Sequence, residues 1–478
     1  MIGIRRLSKN SVLLFTVSRY VGYGLQFVRG ILVAKLLGPY LFGIWGFLTL
    51  AQQYLSYTGL GLQYAVNVEL ATGSITDSVE QKEIIGVALT STTLIACLLG
   101  LLGVGIGTLD LTLFGKYSFS QYAPILGVIA GLFHLQQLLT NIYRVYGKLT
   151  KIMIGELLSA AVLLLVVLVV RGEALIWVQL GAVALTLLAG IAIFMTNPPF
   201  GIYFSLDIRC LKRLLSIGIP LLIYNMSFYL IAVAGRTVIS VFYDVETMGY
   251  YSLANSITTA TLLGLNAVAW VVFPDILSST RKGLPDETVI RMVKRVNDLY
   301  GTSVFLVVFG MILVLPLLFS WLPQYQLTEG VLGVLLLSQA ILSISFGYSC
   351  VAIARKKHLA VAGVSLIALV VVIGLGLVAA ILKFDFVWIA VAVFLGTVVF
   401  VVLQARVGAR LLHRGRLQTG YLTSILPWGS LIATLFYFIG SMTGYRSFGV
   451  IGMFIFVLSN LRLLEQVWRF AFQKSRVT

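Results

Sequence analysis

Stretch after stretch of about 20 apolar residues, each long enough to cross the hydrocarbon core of a bilayer as a helix, constrains this chain more than any other feature. The stretches fall near residues 12–34, 41–64, 84–107, 121–143, 152–170 and 174–196, then 214–236, 249–274, 299–322, 328–353, 359–382 and 386–407, with a last pair near 421–441 and 446–464. Only 11% of the 478 residues are charged, against about 25% in soluble domains, and the mean hydropathy is +1.00. Backbone in lipid must satisfy its own N–H and C=O groups, so the runs are read as helices. The expected fold class is an all-α integral membrane protein of about 14 transmembrane helices.

The formal net charge of +17 would suit a nucleic-acid binder, but the placement of the 34 basic residues argues against one. With the N-terminus inside, 26 of them fall in the N-terminal tail, the loops after even-numbered spans and the C-terminal tail, and five on the other side. That asymmetry is the positive-inside signature and predicts two cytoplasmic termini. Met1–Lys9 with the apolar run behind it resembles a signal peptide, yet no small-x-small cleavage site closes it, so it reads as an uncleaved first span. Cys97, Cys210 and Cys350 are too few and too scattered for a disulfide framework or a metal site. Every connecting loop is short, which leaves no room for a soluble catalytic domain; no enzyme, cofactor or metal is expected.

One element occurs twice. Arg29 is followed by a short loop and then Gly43, Trp45 and Ala51; Arg236 is followed by a short loop and then Gly249, Tyr251 and Ala254. Each copy joins the first and second spans of a six-span block, and because six is even the two blocks point the same way. Parallel repeats are a transporter architecture, with the substrate site at the pseudo-two-fold axis. The expected division is 1–200, 201–412 and an additional helix pair with its tail over 413–478, with the first boundary in the loop Asn197–Gly201.

Arg19, Arg29 and Arg236 lie inside or at the lip of apolar spans, where an arginine costs about 2.5 to 3.5 kcal/mol on insertion scales. Such groups line a water-filled path or bind a counter-charge, and an anionic substrate is the counter-charge expected here. The competing reading is that they snorkel to the headgroups. At 100° per residue, Gly22, Gln26 and Arg29 fall within roughly 80° of Arg19 and form one stripe. Asn225, Tyr229 and Arg236 share a face of span seven; Asn255, Thr259 and Asn266 share one of span eight; Gln52, Ser56 and Gln63 lie on span two; His134, Gln137 and Asn141 lie on span four. These stripes either face a polar cavity or pin helix to helix by hydrogen bonds.

Glu156, in the first turns of span five, is the candidate for a coupling proton or cation, or for a partner of a cavity arginine; the alternative is an interfacial place beside Lys148 and Lys151. His134 reads as a packing histidine rather than a proton relay. Two basic segments, Leu206–Leu215 and Asp286–Leu299, look amphipathic and are expected to lie on the anionic inner leaflet. Gly100, Gly103, Gly105 and Gly107 fall within an apolar span with no preceding strand, so close helix packing explains them better than a nucleotide loop.

The segment Arg29-Gly-Ile-Leu-Val-Ala-Lys-Leu-Leu-Gly-Pro-Tyr-Leu-Phe-Gly43-Ile-Trp45, with Tyr57-Thr-Gly-Leu-Gly-Leu-Gln-Tyr-Ala65, resembles the opening of bacterial polysaccharide-unit flippases of the multidrug/oligosaccharidyl-lipid/polysaccharide exporter superfamily. Val245-Glu-Thr-Met-Gly-Tyr-Tyr-Ser-Leu-Ala-Asn255 and Val272-Phe-Pro274 are similar to its second-half stretch. The resemblance implies two pseudo-symmetric six-helix bundles around a central cavity plus a C-terminal helix pair. It implies transfer of a polyprenyl-pyrophosphate-linked oligosaccharide to the outer leaflet of a bacterial or archaeal plasma membrane. Other polysaccharide-assembly proteins and membrane lipids would be its partners. By resemblance to lipid II flippases with a cationic cavity, Arg19, Arg29 and Arg236 would hold the diphosphate, with Gln26, Gln52, Asn225, Tyr229, Asn255 and Asn266 as hydrogen-bonding walls. The alternatives are a cation-coupled small-molecule exporter of the same superfamily, which the acid-free first span disfavours, and a membrane-embedded glycan polymerase or ligase, which would need a sizeable outer loop.

Overall fold

The computed structural model describes residues 9–71, 78–109, 114–262, 286–355, 357–412, 428–443 and 447–473, which form helices joined by short turns with no strand among them. In chain order these are α1 (Lys9–Leu55), α2 (Leu62–Ala71), α3 (Ser78–Thr108), α4 (Phe119–Val145), α5 (Leu149–Val169), α6 (Ala174–Met195) and α7 (Ile208–Phe242). After α8 (245–262) come α9 (Asp286–Trp321), α10 (Thr328–Ser343), α11 (Phe346–Ala354), α12 (His358–Ile381), α13 (Val387–Leu412), α14 (Trp428–Thr443) and α15 (Ser447–Gln473). Among the described residues nine helices are long and apolar enough to cross a membrane, or up to eleven with two bent pairs. The expected fourteen is not established by that count. Spans one and two run into one another in α1, and the expected spans 249–274 and 421–441 extend beyond the described residues, as do Asn266 and the Val272–Pro274 motif.

The chain divides into two compact units, Met1–Met226 and Ser227–Thr478. In the first, the expected loop between spans one and two is a single break at Gly38, with φ 68° and ψ 172°. Only glycine adopts that backbone region without strain, and Pro39 both disfavours a helical residue before it and is itself suited to a first helical turn. A side chain at Gly38 is therefore expected to cost about 1–3 kcal/mol. Gly38→Ala should lower the unfolding temperature, read by thermal denaturation in detergent, although open space surrounds the site. The strain is in the backbone alone.

The rest of this unit is built on close approaches. Of the glycine run in α3, Gly103 and Gly107 meet Ala123, Gly127 and Pro124 of α4, whereas Gly100 and Gly105 have nothing within 4 Å. Close packing thus uses the two positions one turn apart, as small residues do at helix interfaces in membranes. After α1 the chain turns through Leu60 and Gly61 with positive φ of 53° and 73°, and a Cβ at Gly61 would collide with the Gly218 carbonyl of α7. Leu62, Ala65 and Val66 of α2, Ile84 to Leu89 of α3, Leu138, Leu139, Ile142 and Tyr143 of α4, and Leu214 of α7 form one buried apolar cluster. Leu206–Leu215 is therefore no separate surface helix, because most of it is the first turns of α7, with Leu214 in the core.

In the second unit, α8 opens at a break where Asp244 Oδ1 accepts the backbone N–H of Thr247 at 2.7 Å, a side-chain cap for an orphan donor. The expected span 328–353 is two helices, α10 and α11, bent by 48°, and Asn297 of α9 receives the freed N–H of Gly347 at 2.7 Å. The basic segment Asp286–Leu299 is continuous with the following span in α9. Phe456 of α15 packs on Phe305 and Phe309 of α9, with ring centroids 6.1 and 5.2 Å apart.

Candidate substrate-binding site

Helix α1 brings two arginines to different surroundings. Arg19 faces α5, where its Nε donates to Glu156 Oε2 at 3.3 Å and its Nη2 to Oε1 at 3.1 Å. The guanidinium also lies over the Phe15 ring, 4.9 Å from the centroid. Glu156 is thus in contact with an arginine of α1. Arg29 lies ten residues along, about 15 Å up the helix, and its Nε is buried with no hydrogen-bond partner among the described residues. Gln52, beyond the Gly38 break, is alike: both amide atoms are buried and unbonded among the described residues. Gln26 is exposed.

Arg236 stands deeper than the sequence suggests. It was expected to end span seven, but α7 runs on to Phe242, because Thr237 to Phe242 are as compatible with a helix as what precedes them and the Asp244 cap comes only afterwards. The residue is 3% exposed, which leaves no route to a headgroup by snorkelling. Gly235 lets the Tyr251 hydroxyl of α8 and Val393 of α13 close against α7, and Tyr251 lies within electrostatic reach of the guanidinium. Each unit therefore carries an arginine some two turns before a helix break, with a buried Gly-x-aromatic beyond it: Trp45 is 8% and Tyr251 1% exposed.

The remaining expected wall residues are placed unevenly. Asn225 is exposed and donates to its own helix at Leu221 O, 2.7 Å away; Tyr229 is exposed and Asn255 half-buried. His134 is 1% exposed, and its Nε2 lies 3.0 Å from both Thr58 Oγ1 and Leu55 O, a histidine that holds the end of α1. Asn141 Oδ1 accepts from Arg144 Nη2 at 2.5 Å and from Asn67 Nδ2 at 3.4 Å, so its polarity serves helix packing.

Sequence reasoning missed a second cluster. Arg213 at the start of α7 donates to both oxygens of Glu69 on α2, at 2.8 and 2.7 Å, and to Glu80 on α3 at 2.8 Å. It clamps three helices together. Glu69, the one charged residue of α2, was the available signal. Just before it, Asp207 caps α7, and the backbone N–H groups of Arg209 and Cys210 hold its carboxyl below the usual carboxylate range.

The sequence matches the polysaccharide biosynthesis protein family over residues 8–279. No curated protein sequence matches it. Among solved structures it is similar to the lipid II flippase MurJ in an inward closed conformation, at 16% identity and a TM-score of 0.70 over 96% of this chain and 99% of that one. It is similar to an inward-facing multidrug resistance MATE transporter, at 16% identity and a TM-score of 0.64 over 82% and 94%. A third likeness is to a MOP superfamily transporter from Pyrococcus furiosus with a binding pocket of reversed polarity, at 13% identity and a TM-score of 0.60 over 84% and 95%. With the family match covering more than half of its length and the fold shared across nearly all of it, the chain belongs to the polysaccharide biosynthesis protein family and is a multi-pass membrane protein of the fold seen in MurJ and the MATE transporters.

Proposed function

We propose that the protein is a flippase that carries a polyprenyl-pyrophosphate-linked oligosaccharide from the cytoplasmic to the outer leaflet of a bacterial or archaeal plasma membrane. It is a carrier and not an enzyme, and both termini lie in the cytoplasm. Arg29 is the observation that carries the reading. A guanidinium whose Nε is enclosed and unbonded among the described residues is a charge held ready for an anion, since burying an unpaired charge is otherwise costly. A diphosphate is suited to it, because its oxygens accept the fork of donors that arginine presents. Gln52, with both amide atoms buried and unbonded among the described residues, adds hydrogen-bonding capacity for hydroxyls of the glycan.

Transport would proceed by alternating access between inward- and outward-open states. Gln26, Asn225, Tyr229, Asn255 and Asn266 would contribute polar walls. The second reading is a cation-coupled small-molecule exporter, favoured only by the MATE likeness. The absence of any acidic residue from α1 disfavours it for cationic drugs. Thermal unfolding of the purified protein separates the two, because a ligand at about 100 times its Kd stabilises by about 2.7 kcal/mol. A polyprenyl diphosphate oligosaccharide should raise the unfolding temperature by a few degrees and a cationic dye should not; the reverse result would favour the exporter.

A further inference from the structure

Glu156 is the only carboxylate in α1, α4, α5 and α6, the helix it stands on and those packed against it. Its surroundings are cationic. Arg19 of α1 holds both of its oxygens, and Arg144 of α4 lies within electrostatic range of Arg19. Lys151 precedes it on α5 and reaches away toward Thr196 and Asn197. The phenol of Tyr23 on α1 also acts on Arg19, while α6 brings no charged group. About a third of each partner's side chain is exposed, 33% for Arg19 and 37% for Glu156, so the ion pair is open to a competitor. Arg19 Nη1 makes no hydrogen bond among the described residues, which leaves donors for a larger anion than a carboxylate.

We propose that Glu156 is the resident anion of Arg19, occupying in the empty protein the place on the guanidinium that a diphosphate takes when substrate binds. The inference rests on the flippase reading and extends it to how occupancy is sensed. The two-donor geometry on Glu156 is the one arginine offers a phosphate, so the two anions exclude one another. The Arg19–Glu156 contact also ties α1 to α5. A loaded site therefore breaks a helix-to-helix tie that an empty site keeps, and α1 is released only when substrate is present.

Equilibrium binding of a fluorescent polyprenyl diphosphate oligosaccharide to the full-length protein in nanodiscs tests this. Glu156→Gln, which keeps the shape and removes the competing charge, should bind about three- to fivefold more tightly than wild type, the scale of a half-exposed ion pair, and should turn over more slowly in transport; Glu156→Asp, which keeps the charge, should bind close to wild type. Unchanged or weaker binding by Glu156→Gln, with wild type binding well, makes the pair a structural tie and overturns the resident-anion role alone. No saturable binding by wild type overturns this role and the flippase reading together.

Discussion

Replacing Arg29 with alanine is expected to stop transport while leaving the protein as stable as before, or slightly more so. The two halves of that statement have separate causes. Hydrogen bonds to a charged group contribute about 1.5–3 kcal/mol each, and two of them to a diphosphate would account for a loss of about 100-fold or more, at about 1.4 kcal/mol per factor of ten. Stability is spared because Arg29 Nε has no partner among the described residues to leave stranded, and removing an uncompensated buried charge relieves a desolvation cost. Arg29→Lys keeps the charge but not the planar fork, so it should recover only part of the activity. Transport and thermal unfolding measured on the same preparations check both halves; a variant that loses activity only because it unfolds would show Arg29 to be structural.

Arg213 is expected to behave in the opposite way. Glu69 is 6% exposed and both of its oxygens are held by Arg213, so Arg213→Ala leaves a carboxylate buried without its cation. Breaking a buried pair on one side costs about 3–5 kcal/mol, and the half-exposed position of the arginine places this case near the lower end. The unfolding temperature should fall, and the double variant Arg213→Ala/Glu69→Gln should recover most of the loss, since no stranded charge remains. Equal destabilisation of the single and double variants would mean that the clamp acts through packing of the arginine stem and not through the buried charge.

These residues also show what a sequence discloses and what it withholds. Hydropathy located the spans because lipid demands about 20 apolar residues in a row, and the paired arginines were visible because a charge stands out in such a run. Depth was harder to read. Arg236 looked like the end of span seven, yet a helix ends where its backbone donors and acceptors find other partners, and that happens at Asp244. The Gly38-Pro39 dipeptide signals a break, but nothing local says whether one residue or a whole loop makes it.

Partners were the least legible. Glu69 and Arg213 are separated by 144 residues, and a helical stripe shows which residues are polar without showing what they meet. Glu156 was readable as a charge of interest, but its contact with Arg19 shows only once α1 and α5 are seen side by side. The polar stripes divided for the same reason: Asn141 and His134 bind neighbouring helices or helix ends, while Gln52 keeps its amide unbonded among the described residues.

Transbilayer movement of a fluorescent polyprenyl diphosphate oligosaccharide in proteoliposomes is the most direct test of the central claim. Wild type should move it from one leaflet to the other, and Arg29→Ala and Arg236→Ala should not. No movement by wild type with several glycans and an imposed ion gradient, together with export of a cationic small molecule under the same gradient, would contradict the account.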